Sequence, residues 1–252
     1  MAETFRELGP RREEARVADR LNQLRARCFV GRQRELGLLE RCAESDGPAV
    51  TFLHGIGGMG KSALLAVVTE RLRARGVRAV YLDARSIEPT PRGFRDALGG
   101  EPGLRALSDA PGVSVLIIDH YELLRLLDSW LRQDFVPQLP ARVRLILSGR
   151  HPPTAGWSAV PGWQALVQSC PLHALDETES RALLEKRHAP APVVPAIIKF
   201  AQGHPLALEL ALAAAAERPG FDFEAPDRSR VIARLAQLFL QDLADSRVGH
   251  GS

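Results

Sequence analysis

The chain has 252 residues, of which 45% are hydrophobic and 25% are charged, and its formal net charge is +3. This composition is typical of a globular protein with one large domain, or with a main domain and a small satellite. No run of about 18 apolar residues without a charge is present, and the N-terminus lacks the apolar block of an export signal. We therefore expect neither a membrane span nor secretion, and a protein that stays in the cytoplasm.

The cysteines and the basic residues argue against two further classes of protein. The three cysteines, Cys28, Cys42 and Cys170, are too few and too widely spaced for a disulfide framework or a zinc site. Nearly all basic residues are arginine, which together with many Ala, Gly and Pro indicates a codon bias. The pI of about 9.0 is therefore weak evidence for nucleic-acid binding.

The first element in the chain is an Arg- and Glu-rich segment with one apolar stripe. Val17, Leu21, Leu24 and Cys28 recur at intervals of three and four residues, which predicts an N-terminal amphipathic helix or linker over residues 1–28. The stripe would pack on the main domain or contact a partner. A short turn, Phe29 to Arg32, then leads into a second amphipathic helix.

The next segment contains a glycine-rich motif between an apolar strand and a helix. It has the phosphate-binding spacing of Gly, four residues and Gly-Lys-Ser/Thr. The motif consists of Gly55, Ile56, Gly57, Gly58, Met59, Gly60, Lys61 and Ser62. Glycines allow the backbone amides and the positive end of the helix to converge on a triphosphate. Lys61 would contact the β- and γ-phosphates and Ser62 would bind magnesium, whereas a glycine-rich turn without a ligand is the much less favoured alternative.

Two more strands follow this loop and its helix. Residues 77–83 are a predicted strand, and a Gly- and Pro-rich stretch with short helices follows at residues 89–112. The apolar strand at residues 113–118 ends on Asp119. An acid at the end of such a strand can hold magnesium together with Ser62, so it completes a phosphate-loop site.

The following segments complete the predicted sheet. A helix is predicted from Glu122 to about Arg132, where the spacing of Asp128 and Arg132 suits a surface ion pair. A fourth strand at residues 143–148 ends at Gly149-Arg150, and a fifth is predicted at residues 165–172.

Strands that alternate with helices favour a three-layer α/β fold with a parallel sheet. Ligands bind beyond the carboxyl ends of the strands in such sheets. Gly55, Asp119 and Arg150 all follow strands, so we expect these three distant segments to surround one nucleotide.

The last part of the chain is predicted to be helical. Acidic residues from Asp176 to Glu179 begin a helix that runs to about His188, and a second helix covers residues 193–201. Gly203-His204-Pro205 breaks it before a strong helix former at residues 206–217. A final helix is predicted at residues 228–243. We expect a nucleotide-binding domain at residues 29–175, a helical lid at 176–245 and a disordered tail at 246–252.

These segments together resemble the STAND class of signal-transduction ATPases, which includes the NB-ARC proteins. The resemblance is carried by Phe29-Val30-Gly31-Arg32, the Gly-Gly-Met-Gly-Lys-Ser loop, Leu-Ile-Ile-Asp119, Leu-Ile-Leu-Ser-Gly-Arg150 and Gly203-His204-Pro205-Leu206. It covers residues 28–217 and is more specific than any single motif. It implies a P-loop NTPase of the ASCE type, with the strand order 5-1-4-3-2.

The resemblance also implies roles for individual residues. The turn with Val30 and Arg32 would contact adenine, Arg150 would sense the γ-phosphate, and Pro205 would close over the base. The candidate catalytic residues are Lys61, Asp119, Arg150 and Glu122, and the candidate magnesium ligands are Ser62 and Asp119. The candidate nucleotide-binding residues are Val30, Arg32, Gly55, Ile56, Gly57, Gly58, Met59, Gly60, Lys61, Ser62, Ala63, Arg150 and Pro205.

Two departures from the family pattern affect these expectations. The family usually has a second acid directly after the magnesium acid, but this chain has His120 there. Loss of a well-placed base removes roughly 100- to 10,000-fold of rate, so we expect slow ATP hydrolysis. The family also continues into a winged-helix domain and a repeat or effector region, so we expect a fragment or a short member.

The leading hypothesis is an ATP/ADP-binding switch that uses magnesium and binds a protein partner or itself in the ATP state. A small-molecule phosphotransferase and a DNA-dependent ATPase remain as alternatives. The upstream signal, the output, the oligomeric state and the resting nucleotide stay open.

Overall fold

The computed structural model describes residues 29–217, 229, 231–234 and 236–237. The predicted helix at residues 1–28 and the predicted tail at residues 246–252 lie outside this part of the chain. The predicted final helix at residues 228–243 lies only partly inside it, and its described residues are helical.

A five-stranded parallel sheet forms the centre of the protein. The strands are β1 (Val50–His54), β2 (Arg78–Asp83), β3 (Ser114–Asp119), β4 (Val143–Gly149) and β5 (Val167–Pro171). Their spatial order is β2-β3-β4-β1-β5, and all four neighbouring pairs are parallel. The predicted order 5-1-4-3-2 and the three-layer α/β fold are confirmed. This order places β1, β3 and β4 side by side, so their carboxyl ends form one edge.

Helices connect the strands and cover both faces of the sheet. The α-helices before β5 are α1 (Gln33–Glu40), α2 (Lys61–Ala74), α3 (Pro91–Ala97), α4 (Gly100–Ser108), α5 (Asp128–Trp130), α6 (Ala155–Ser158) and α7 (Trp163–Leu166). Short 3₁₀ turns cover Arg41–Ala43 and Ala84–Ser86. No helix in the described part of the chain has both the length and the hydrophobicity needed to cross a bilayer.

The segment after β3 is helical, as predicted from Glu122 to about Arg132, but it is not one regular α-helix. It consists of a 3₁₀ helix (Tyr121–Leu127), the turn α5, a π-helical turn (Leu131–Phe135) and a 3₁₀ turn (Val136–Gln138). The spacing of the buried side chains explains the difference. Tyr121, Leu124 and Leu127 are three residues apart, as a 3₁₀ helix requires. Leu131 and Phe135 then follow at intervals of four, which favours wider turns.

Alternate side chains of the sheet enter two apolar cores, one on each face. On β1, Phe52 packs into the first core and Leu53 into the second. On β4, Leu145 and Leu147 enter the first core, while Ile146 enters the second. Because successive side chains of a strand point to opposite faces, this alternation buries each central strand on both sides. Residues 29–175, which contain both cores, are called the sheet body below.

A third apolar cluster lies in the C-terminal helices. These are α8 (Glu177–Lys186), a 3₁₀ turn (Ala191–Val193), α9 (Val194–Ala201) and α10 (Pro205–Glu217), and residues 176–217 are called the helical lid below. Leu184, Ile197 and Leu208 are buried in this cluster. A capping box begins α8: the Asp176 side chain accepts from the Glu179 N–H, and the Glu179 side chain accepts from the Asp176 N–H.

Candidate functional site

The glycine-rich loop connects the end of β1 to the first turn of α2. Gly58 and Gly60 have φ values of 73° and 88°, in the left-handed region that favours glycine. Helix α2 begins at Lys61, and no side chain caps its first amides. Those N–H groups can therefore donate to an anion at the mouth of the loop.

Lys61 lies across this loop. Its ammonium Nζ donates to the carbonyl oxygen of Gly55 at 2.7 Å and to that of Ile56 at 3.0 Å. Met59 is buried in the second core, so that only its backbone can contact a ligand, whereas Ile56 is 63% exposed. The Lys61 ammonium and the uncapped N–H groups of α2 therefore lie together at the edge of the sheet.

Asp119 ends β3 with its carboxylate fixed by three hydrogen bonds. The Tyr81 hydroxyl donates to Oδ2 at 2.9 Å, and the Ser148 hydroxyl donates to Oδ1 at 3.0 Å. The backbone N–H of His120 also donates to Oδ1, at 2.9 Å. The side chain is only 1% exposed, so these contacts hold it in one orientation. Tyr81 and Ser148 come from the strands on either side of β3.

His120 stands where the family usually has a second acid. Its side chain contacts β2. It has a φ of 56°, and its Nδ1 lies 3.1 Å from Oδ1 of Asp83. Asp83 also accepts two hydrogen bonds from the guanidinium of Arg85, at 3.0 Å from Nε and 2.6 Å from Nη2. The Asp83 carboxylate therefore links the side chains of His120 and Arg85.

The pKa values of this group follow from its hydrogen bonds. Burial raises the pKa of Asp83, but the hydrogen bonds from His120 and Arg85 outweigh burial and hold it below its usual value. Burial lowers the pKa of His120, but its hydrogen bond to Asp83 and the charge of Asp119 raise it overall. The imidazole of His120 therefore takes up a proton more readily than a free histidine does.

Arg150 and Glu122 lie together at the end of β4. The Nε of Arg150 is 3.3 Å from Oε1 of Glu122, and the two side chains are 21% and 13% exposed. The Oε2 of Glu122 is buried and has no hydrogen-bond partner in the part of the chain that the structure describes. A Cβ on Gly149 would lie 3.1 Å from this oxygen, so Gly149 leaves room for the carboxylate. Glu122 is thus adjacent to the predicted γ-phosphate sensor.

The turn at Val30 to Arg32 connects to the helical lid. Arg32 is 5% exposed, and its Nη2 donates to the carbonyl of His173 at 2.5 Å. Its backbone N–H donates to Oε1 of Glu179 at 2.8 Å. Val30 packs against the third apolar cluster. Arg32 has a φ of 62°, so this turn holds a non-glycine residue in the left-handed region.

The first turn of α10 contacts the phosphate loop directly. The backbone N–H of Leu206 donates to the carbonyl of Gly58 at 3.3 Å, and Nε2 of His204 is 3.1 Å from the carbonyl of Gly57. A Cβ on Gly58 would lie 2.6 Å from Cε1 of His204, so only glycine allows this approach. Burial lowers the pKa of His204. Its Nδ1 accepts from the Ala207 N–H at 3.3 Å, so the neutral ring donates through Nε2 to Gly57.

The structure thus places the predicted residues at one edge, around the phosphate loop. Lys61, Asp119 and Arg150 follow three neighbouring strands, and Arg32 and Pro205 lie in segments that contact the lid or the loop. Sequence reasoning missed Tyr81, Ser148, Glu179 and His204. Ser148 carried a signal, because a hydroxyl inside an apolar strand must find a partner when it is buried. No sequence signal indicated the roles of Tyr81 and His204, because each contacts residues that are distant in the chain.

The residues present fit a magnesium nucleotide. A serine hydroxyl at the start of α2 and a carboxylate at the end of β3 are oxygen ligands of the kind that magnesium prefers. The glycine backbone, the uncapped amides and Lys61 suit a polyphosphate. No group of three or more His, Cys, Asp or Glu residues forms another metal site within the described residues.

Comparison with known proteins adds a family and a set of similar folds. A family model described as an AAA ATPase domain matches residues 28–246. No curated protein matches the sequence. Among solved structures, the chain is similar to the ORC1 protein of Aeropyrum pernix in complex with DNA, with 21% identity and a TM-score of 0.58. That match covers 82% of this chain and 66% of the other.

Two further solved structures are similar at lower identity. Domain III of the replication initiation protein DnaA of Thermotoga maritima has 16% identity and a TM-score of 0.54, over 86% of this chain and 95% of that one. A DNA replication initiation factor has 15% identity and a TM-score of 0.54, over 75% of this chain and 62% of the other. At these identities the likeness concerns the fold. The chain spans about two thirds of the length of ORC1 and less of the initiation factor.

Proposed function

Because the chain belongs to the AAA ATPase domain family, we propose that it is an ATP/ADP-binding switch of the STAND class. In this proposal the phosphate loop binds the polyphosphate, and the helical lid changes its orientation with the nucleotide. The observation that carries the proposal is the direct contact of the first turn of α10 with the carbonyls of Gly57 and Gly58. A ligand that rearranges this loop must alter the contact that holds the lid.

Each predicted site residue has a role in this proposal. Lys61 would leave the carbonyls of Gly55 and Ile56 and donate to the phosphates. Ser62 and Asp119 would hold magnesium, which neutralises the charge on the β- and γ-phosphate oxygens. Tyr81 and Ser148 orient the Asp119 carboxylate through their hydrogen bonds. Arg150 would bind the γ-phosphate and so distinguish ATP from ADP.

The same contacts support slow hydrolysis. A general base must be free to accept a proton from the attacking water. The Nδ1 of His120 is already engaged by the Asp83 carboxylate, and the pKa of this histidine is raised. Glu122 is paired with Arg150 through one oxygen. Binding and exchange of nucleotide, rather than rapid turnover, are therefore expected to set the state of the protein, and with it signalling or assembly with a partner.

Spin labels on the two regions would test the switch. Glu101 on α4 and Glu185 on α8 are exposed, whereas Cys42 and Cys170 are buried. Cysteines at Glu101 and Glu185, in a Cys28→Ser background, would carry the labels for pulsed electron resonance. We expect different distance distributions with Mg-ATP and with Mg-ADP. Identical distributions, in a protein that binds both nucleotides by calorimetry, would contradict the switch.

A DNA-dependent ATPase is the second candidate. This candidate is suggested by the fold that the chain shares with ORC1, whose structure was solved in complex with DNA. Turnover of ATP measured with and without duplex DNA distinguishes the two functions. Stimulation of roughly tenfold or more that weakens steeply as salt rises would favour this candidate, because phosphate contacts release counterions.

A further inference from the structure

A cavity of about 570 Å³ lies beside the end of β4, next to the candidate nucleotide site. Its walls come from the segment after β3 and from the loop after Arg150, and Phe52 of the first core also lines it. No residue of the loop 55–62 and no described residue of the lid lines it. Glu122 and Arg150 also line it, so the cavity adjoins the candidate nucleotide site at the end of β4. Its size is within the range of pockets that hold small molecules.

Arg132 lines this cavity with an unsatisfied guanidinium. Its Nε is buried and has no hydrogen-bond partner within the described residues. The guanidinium lies close against Gly156. A Cβ added at that position would be 2.6 Å from Nε and 2.7 Å from Cζ. A buried donor of a charged group without an acceptor costs free energy, so its position indicates a partner that binds there.

Asp128 does not serve as that partner, although it precedes Arg132 by four residues. Its Oδ1 accepts from the Tyr121 hydroxyl at 2.7 Å and from the Trp157 indole N–H at 2.8 Å. Its Oδ2 accepts from the Thr154 hydroxyl at 3.0 Å. The ion pair that the sequence suggested is therefore not made. The Asp128 carboxylate accepts hydrogen bonds from three neutral donors, so it does not pair with the charge of Arg132.

Two other charged groups face the same cavity. The side chain of Arg125 lines it and makes no hydrogen bond or ion pair with any residue in the described part of the chain. Glu122 also lines it, and its buried Oε2 accepts no hydrogen bond from the described residues. Three arginines line the cavity; Arg150 is paired with Glu122, so Arg125 and Arg132 offer their guanidinium groups to an anion and Oε2 of Glu122 is open to a donor.

We propose that this cavity binds a small anion that also carries a hydroxyl or amino group. Arg132 and Arg125 bind the anionic end, since a guanidinium suits the oxygens of a carboxylate or a phosphate. The hydroxyl or amino group donates to Oε2 of Glu122. Because Glu122 also pairs with Arg150, the ligand contacts a residue that touches the candidate phosphate sensor. The anion-binding part of this site, formed by Arg132 and Arg125, lies outside the residues assigned to the nucleotide, whereas Glu122 and Arg150 are shared with the candidate nucleotide site.

Calorimetric titration with defined probes would test the proposal. The probes are malate, a hydroxy dicarboxylate; succinate, which lacks the hydroxyl; and glycerol 3-phosphate, a phosphate monoester. A Lys61→Ala background removes the main cation of the phosphate loop, so that phosphate binding there does not contribute. Malate and glycerol 3-phosphate distinguish a carboxylate ligand from a phosphate ligand.

Two variants alter the site in different ways. Arg132→Gln removes the charge, while Gly156→Ala keeps every charge but displaces the guanidinium from its position. Because the displaced atoms are the end of a flexible side chain, Gly156→Ala is expected to fold even if Arg132→Gln does not. Arg105→Gln, at an exposed arginine on α4, is the matched control.

We expect malate, glycerol 3-phosphate or both to bind with a dissociation constant of about 1 mM or tighter. Arg132→Gln and Gly156→Ala should each weaken binding by about tenfold or more, and Arg105→Gln should leave it unchanged. Absence of saturable binding by either probe, or binding that both site variants leave intact, would overturn the proposal. Succinate that binds as tightly as malate would overturn the role of Glu122.

Discussion

The sheet body and the helical lid are held by different kinds of contact. In the body, each central strand is buried on both faces between two apolar cores. The lid has one small cluster of its own, and the hydrogen bonds that tie it to the body are few and individually identifiable. Among the described residues they join Glu179 to Arg32, Lys186 to Phe29, His204 to Gly57, Leu206 to Gly58 and Leu175 to Gly203.

This difference indicates which part of the molecule can change its position when a ligand binds. Burial of apolar area stabilises the body without regard to the nucleotide. Each hydrogen bond to the lid contributes only about 1 kcal/mol, so a modest change at the loop can shift the lid. The four predictions below alter the loop, the sensor and the lid contacts in turn, and the largest expected effect comes first.

Lys61→Ala tests whether the body supplies the main contact to the phosphates. A hydrogen bond to a charged group contributes about 1.5–3 kcal/mol, so ATP should bind roughly 10- to 100-fold more weakly. Calorimetric titration with Mg-ATP measures the change. Lys199→Ala, at an exposed lysine on α9, is the control. An unchanged affinity in the Lys61 variant would refute the phosphate loop as the binding site.

Arg150→Ala tests whether the body distinguishes the two nucleotides. The ratio of ATP to ADP affinity should fall by about tenfold, because only ATP has the γ-phosphate that the guanidinium would contact. The two dissociation constants give the ratio. Glu122→Gln, which removes the charge of the partner, separates loss of the sensor from loss of the ion pair. If Arg150→Ala leaves the ratio at its wild-type value, Arg150 is not the sensor.

Glu179→Ala weakens the contact between the lid and the Arg32 turn. Glu179 accepts from the N–H of Arg32 through Oε1 and from the N–H of Asp176 through Oε2. Its loss should lower the free energy of unfolding by about 1 kcal/mol, as measured by urea denaturation. Glu177→Ala, two residues earlier and paired among the described residues with the exposed Arg181, should change it far less. Equal effects of the two substitutions would contradict the linking role of Glu179.

The contact of His204 with the loop should depend on pH. Because burial lowers the pKa of His204 below its ordinary value of 6.5, the folded protein favours the neutral ring. Its contribution to stability is then present above about pH 6.5 and is lost as the pH falls below that value. Burial also lowers the pKa of His54, so this residue contributes to the pH dependence of stability as well.

Comparison with His204→Asn isolates that contribution. The melting temperature of the wild type should exceed that of the variant at pH 7.5, and the difference should shrink at pH 5.5. A difference that stays constant, or that grows as the pH falls, would show that the neutral ring does not hold the lid.

The fold could be predicted because its signals are local. The apolar runs before Gly55, Asp119 and Arg150 predicted strands, and the structure has strands there. The order of the strands came from a family resemblance and is confirmed. The helix predicted from Glu122 to about Arg132 is present, but its division into 3₁₀, α and π turns was not predicted, because it depends on which side chains the sheet buries.

The surroundings of the site could be predicted only in part. The positions of Lys61 and Asp119 follow from motif spacing. The Tyr81 hydroxyl bonds to a carboxylate 38 residues later in the chain, and the His204 ring contacts a carbonyl 147 residues earlier. No local pattern encodes such distances. The predicted ion pair between Asp128 and Arg132 is wrong. The Asp128 carboxylate instead accepts hydrogen bonds from Trp157 and Thr154, which are close to it only in the folded chain.

Helix α10 is anchored at its first turn on the phosphate loop and extends for 13 residues. At 1.5 Å per residue its axis is about 20 Å long. A rotation of about 10° at Pro205 would therefore displace the far end, near Glu217, by about 3 Å. In the proposed switch, a small rearrangement of the Gly57 and Gly58 carbonyls would therefore produce a larger displacement at the far end of this helix.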